Sequence, residues 1–104
     1  MLALLERHQA SLRRLCQQYR VARLSVFGSA ARAGEFDPQT SDLDFLVEFM
    51  PMGLIETKDA YFGLWFALEE LFGRPVDLVQ PGKLKNPYLR KTVEQHQQTL
   101  YAAA

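Results

Sequence analysis

Residues 24–47, LSVFGSAARAGEFDPQTSDLDFLV, decide how this chain folds. Two short apolar segments, residues 23–27 and 43–49, are β-branched or aromatic and bounded by breakers, which predicts two strands. The first closes on Gly28-Ser29, and residues 29–32 can start a short helix. Residues 34–40, GEFDPQT, carry Gly, Asp-Pro and polar residues and form a loop. The second strand is entered through Ser41-Asp42-Leu43-Asp44. Side chains two apart on a strand share a face, with Cα atoms roughly 6.5 Å apart. Asp42 and Asp44 therefore stand side by side. Bare, they repel, and one tends to hold a proton. A divalent cation removes that penalty, and oxygen-only ligands suit Mg²⁺, which also binds substrate phosphates.

Working outward, Leu5, Leu12, Leu15, Cys16 and Tyr19 recur at helical spacing and predict an amphipathic helix over residues 2–19. Beyond the second strand, Pro51 and Gly53 break the chain. Thr57 can cap a helix running to about residue 71, with Gly73 as its stop. The middle of this helix, AYFGLWFAL, is apolar on most sides, so it should be the most buried helix. Gly63 within it costs about 1 kcal/mol relative to Ala and implies close packing against a neighbour. Residues 75–80, PVDLVQ, form a further strand, and PGKLKNP is a turn. Asn86 caps a last helix with Pro87 at its first position; Leu89, Val93, His96 and Leu100 share one face of it. The order helix, strand, short helix, strand, helix, strand, helix predicts a small α/β sheet packed by helices in one layer or two. With no linker in view, residues 1–104 are expected to form one domain.

Composition narrows the function. The 104 residues are 48% hydrophobic and 23% charged, as in a folded protein, and 12 basic residues cancel 12 acidic ones. No net field draws the chain to nucleic acid, so direct nucleic-acid binding is not expected. Cys16 is the lone cysteine and can form no internal disulfide. The longest apolar run, residues 60–68, is too short to span a bilayer, and the N-terminus reads as a helix rather than a signal peptide. The cytoplasm is the expected location, with no membrane association.

Asp77 is the third unusual acid, set in the middle of the apolar strand VDLV. Alone and buried it would be costly. Beside Asp42 and Asp44 it has a use, because three carboxylates can hold two metals about 3.5–4 Å apart for in-line attack at phosphorus. Gly28 lets a substrate approach the backbone, and Ser29 opens a helix whose N–H groups favour an anion. Each feature alone has an ordinary reading: Asp42 as a turn residue with Ser41, Asp77 as the partner of a helix cation, Gly28-Ser29 as a strand-to-helix turn. The three together, in this order, point to a phosphate and its metal. No EF-hand, P-loop or dinucleotide glycine motif is present. His8 and His96 lack a second ligand at metal spacing and read as surface or boundary residues.

The residues FGSAARAGEF, SDLDFLVEF and PVDLV resemble the nucleotidyltransferase superfamily that includes DNA polymerase beta, and more narrowly its minimal, MNT-type members. That resemblance implies a mixed β-sheet flanked by helices, ATP as substrate, Mg²⁺ (two ions) as cofactor, and transfer of a nucleotidyl group to a hydroxyl. It implies that Asp42, Asp44 and Asp77 are the catalytic, metal-binding carboxylates, with Asp77 helping to deprotonate the attacking hydroxyl. Gly28, Ser29, Arg32 and Ser41 match the nucleotide-binding positions. It further implies an antitoxin whose partner is a HEPN-type toxin, neutralised by AMP transfer to that protein or by binding alone; a homo-oligomer stays open. The family has glycine directly after the arginine, whereas Ala33 intervenes here before Gly34. That departure favours the alternative of a non-catalytic binding module. The apolar terminus TLYAAA could support a protein partner, or Leu100 and Tyr101 could complete the core.

Overall fold

The computed structural model describes residues 3–28, 42–83 and 86–103. In chain order the elements are α1 (Ala3–Arg7), α2 (Gln9–Gln18), β1 (Val21–Phe27), β2 (Leu43–Phe49), α3 (Leu54–Phe72), β3 (Val76–Val79), a 3₁₀ turn at Pro81–Lys83, α4 (Pro87–His96) and β4 (Gln98–Ala102). The strands make one mixed sheet in the order β3-β2-β1-β4. β1 runs antiparallel to both β2 and β4, and β2 runs parallel to β3. A parallel neighbour needs a crossover, which α3 supplies. The expected mixed sheet flanked by helices is what the chain forms. The expected short helix over residues 29–32 and the loop over residues 34–40 lie outside the described residues.

Alternation along the strands sends Leu24 and Val26, then Leu43, Phe45 and Val47, then Val76 and Leu78 to one face. There they meet Leu5, Leu12 and Cys16 from α1 and α2, and Leu64, Leu68 and Phe72 from α3, in the main core. Ser25 and Leu46 alternate to the other face and are buried too, as is Val93 of α4. Burial pushes the Cys16 thiol up to about 12, so it stays protonated and unreactive.

Four expectations are corrected. The N-terminal helix is two, because His8 leaves helical geometry at φ −108° and ψ 14°. Its Nδ1 lies 2.8 Å from the Leu4 carbonyl, which gives the break a polar contact of its own. Thr57 does not cap α3. Gly53 does, and the Thr57 N–H and hydroxyl both donate to the Gly53 carbonyl at 2.9 Å, inside the first turn. α3, expected to be the most buried helix, buries one stripe: Leu64, Leu68 and Phe72 face the core, whereas Leu54, Ile55 and Phe66 are 86%, 74% and 68% exposed. Apolarity on every side cannot tell which stripe of a helix meets the sheet. Finally, α4 stops at His96, and Leu100 lies on a strand rather than on the helix. β4 pairs with β1, Arg23 Nη2 donates to Thr99 Oγ1 at 2.8 Å, and Leu100 and Tyr101 pack against the core. The apolar terminus thus completes the sheet. Gly73 ends α3 as expected, in the left-handed region at φ 63° with its N–H on the Glu69 carbonyl, and Asn86 Oδ1 accepts the Tyr88 N–H at the start of α4.

Gly63 packs as its sequence position requires. A Cβ there would lie 2.5 Å from Tyr19 Cε1 and 3.2 Å from Tyr19 Cδ1. Alanine would gain about 1 kcal/mol of helix propensity, but overpacking costs about 1–3 kcal/mol. Urea denaturation of Gly63→Ala should show a net loss near 1 kcal/mol. In a Tyr19→Ala background the same change should stabilise; stabilisation in the wild-type background would contradict this packing.

Candidate active site

Register builds the site. In the parallel ladder Asp44 of β2 lies directly opposite Asp77 of β3, and on its other side Asp44 lies opposite Phe27, the last residue of β1. Adjacent strands run about 4.8 Å apart, so the two carboxylates share one face at contact distance. Such facing carboxylates interact directly. Two carboxylates can bond only if one keeps a proton. Asp44 is accordingly pushed up from 3.8 to about 6, first by burial, then by the bond to Asp77 and the charges of Asp77 and Asp42. Asp42 is exposed one residue before β2 and adds to the pair through its charge. Among the described residues no group of three or more His, Cys, Asp or Glu side chains is arranged to hold a metal ion. The tight element is the Asp44–Asp77 pair.

Gly28 closes the other side. Its φ of 68° lies in the left-handed region, and a Cβ would run into Asp44 Oδ2 and come within 3.3 Å of Asp44 Cγ. Conformation and space both demand glycine, so the backbone after β1 passes against the Asp44 carboxylate. The donor set fits Mg²⁺, which takes one or two carboxylates and completes its shell with water and substrate phosphates. A pair that must share a proton is a pair that a cation would relieve. Ser29, Arg32 and Ser41, expected to bind nucleotide, lie outside the described residues.

Three side chains that the sequence reading passed over touch the strand carrying Asp77. Tyr61 donates its hydroxyl to the Leu78 carbonyl, Trp65 Nε1 donates to the Val76 carbonyl at 2.8 Å, and Glu69 Oε2 accepts the Val76 N–H at 3.0 Å. Burial and the Asp77 charge raise the Tyr61 phenol. The signal was present: polar-tipped residues spaced four apart in an otherwise apolar helix. Beside them a groove of about 780 Å³ runs between the start of α3 and the end of β3, walled by Leu54, Tyr61, Phe62 and Val79.

Comparison with known proteins gives these residues a context. The description "Nucleotidyltransferase domain" matches residues 9–100. A Methanocaldococcus jannaschii chain named "putative protein adenylyltransferase" is 38% identical over 94 residues, covering 88% of this chain and 86% of the relative. A solved structure described as a "putative minimal nucleotidyltransferase" superposes with a TM-score of 0.65 at 32% identity, over 90% of each chain. A chain from the complex of tri-AMPylated Shewanella oneidensis HEPN toxin with MNT antitoxin superposes with a TM-score of 0.63 at 18% identity, over 95% of this chain and 73% of that one. At that identity the likeness is one of fold.

The raised Asp44 predicts how stability depends on pH. Its folded-state value lies above the unfolded one, so its contribution is full below about 3.8 and is lost as pH rises through about 6. Because Asp44 is partly exposed, screening reduces the loss to about 1 kcal/mol. In chelator, urea melts of the wild type between about pH 4 and 7 should show that decrement relative to Asp44→Asn, which cannot ionise. Parallel pH dependences of the two proteins would refute the shared proton.

Proposed function

Given that the chain belongs to the nucleotidyltransferase family, as a minimal member, we propose that it transfers AMP from ATP to a hydroxyl on a partner protein. We further propose that it does so in the cytoplasm as the antitoxin of a HEPN-type toxin. The observation that carries the catalytic reading is the register that sets Asp44 opposite Asp77, against a glycine with no room for a side chain. A paired, partly buried acid beside open backbone is costly to keep unless a ligand uses it. The relative's name and the AMPylated complex that shares the fold support the choice of a protein acceptor.

In this reading Asp44 and Asp77 would hold Mg²⁺, with Asp42 adding its charge beside them; the ion would supply charge neutralisation at the triphosphate and at the developing negative charge on phosphorus. Gly28 lets phosphate oxygens lie against the backbone beside Asp44. We assign the remaining nucleotide contacts to Ser29, Arg32 and Ser41. The acceptor oxygen bonds to the α-phosphorus in line with the leaving group. The bond from that phosphorus to the oxygen bridging to the β-phosphate breaks, and pyrophosphate departs. Asp77 lies on the outermost strand, exposed, and takes the proton of the attacking hydroxyl.

Co-expression with a HEPN-type protein from the same genome, followed by intact-mass spectrometry, tests this directly. The wild type should add AMP to the partner. Asp44→Asn and Asp77→Asn should each lower the transfer rate by at least about 100-fold, the scale of losing one transition-state contact. Unmodified but neutralised partner in a stable complex would replace the enzyme with a binding module. Transfer that survives Asp44→Asn would refute the assigned site.

A further inference from the structure

β3 has four residues and one neighbouring strand, and it carries Asp77. An edge strand this short is the least constrained place in a sheet to mount a side chain. Its outer side is nevertheless not bare. The N–H and C=O of one strand residue point to the same side, and successive residues alternate. Val76 and Leu78 point away from β2, because their groups bond to Glu69, Trp65 and Tyr61 of α3. Pro75 points toward β2, since its carbonyl accepts the Leu43 N–H at 3.4 Å, and Asp77 therefore points to β2 as well. Asp77 thus sits between two outward residues that α3 grips.

The spacing explains why one helix can do this. Residues four apart on a helix rise about 6 Å, and residues two apart on a strand rise about 6.6 Å. Tyr61 and Trp65 therefore keep step with Leu78 and Val76, the helix running one way and the strand the other, and Glu69 one turn further on reaches the N–H of Val76 as well. These residues sit beside Leu64 and Leu68, which bury α3 against the sheet. Trp65 and Tyr61 are rigid rings, with centroids 6.4 Å apart, and each ends in a single donor at a fixed reach.

We infer that Tyr61 and Trp65 are positioning residues of the carboxylate site. By gripping the outward carbonyls of Leu78 and Val76 they fix β3 laterally and hold Asp77 opposite Asp44, without touching nucleotide. Glu69 serves the same end at the Val76 N–H. The inference rests on the reading of Asp44 and Asp77 as the metal-nucleotide pair, but its structural half stands apart from that reading.

The test compares the wild type with Tyr61→Phe/Trp65→Phe, which keeps both rings and removes both donors, and with Glu69→Gln, which keeps an acceptor. Hydrogen exchange read by NMR should show the Asp77 amide, which faces β2, exchanging about 10-fold faster in the double variant. The amides of β1 should be unchanged, and Glu69→Gln should match the wild type. Calorimetric titration of Mn²⁺ in the presence of AMP-PNP should show affinity about 10-fold weaker in the double variant, with AMP-PNP binding in chelator unaffected. Unchanged exchange at Asp77 overturns the inference whatever the metal does. Uniformly faster exchange across the sheet, or equal weakening of nucleotide binding in chelator, also overturns it, because the contacts would then be general stabilisers. If the wild type binds no Mn²⁺, the functional reading fails, while the exchange data still decide the structural half.

Discussion

Everything at the site depends on one register. In the parallel ladder between β2 and β3, Asp44 stands opposite Asp77. Slipping that ladder by one residue would set Asp44 opposite a core residue, Val76 or Leu78, and turn one strand's apolar side chains to the wrong face. The core that needs Leu43, Phe45, Val76 and Leu78 on the helical face therefore forces the two acids together on the other. Repulsion between them is held in check by hydrophobic burial, since burying four large apolar side chains is worth several times the cost of one shared proton. The price is a group ionising near pH 6, and that poised acid is what a phosphate-bound cation can exploit.

The surrounding parts serve that pair. Gly28 follows β1 in a left-handed turn and places no side chain against Asp44. α3 makes the parallel connection possible, buries one stripe in the core, and hangs a second stripe along the outer edge of β3. β4 closes the far edge of β1, so the strand that leads to Gly28 is paired on both sides.

Much of this was legible in the residues. β2 could be bounded at Leu43–Phe49 because it is a short apolar, aromatic-rich run and breakers flank it. Asp44 and Asp77 stood out as acids in apolar strands, although only tertiary register makes them partners. β4 was not legible: α4 stops at His96 with no glycine or proline to mark its end, and only pairing with β1 makes residues 98–102 a strand. The exposure of α3 was hidden for another reason, since a helix whose middle is apolar on most sides gives little direction. His8 broke the first helix with no breaker residue to mark it. The edge-gripping stripe on α3 was hidden by chemistry, as Tyr61 and Trp65 count as apolar in a periodicity reading and act here through single polar atoms.

The most direct test of the account is a crystal structure with AMP-PNP and Mn²⁺, with the metal located by its anomalous scattering. The account predicts manganese bound between the Asp44 and Asp77 carboxylates, with the nucleotide phosphates against the backbone at Gly28. Nucleotide held elsewhere, or metal that touches neither carboxylate, would contradict it.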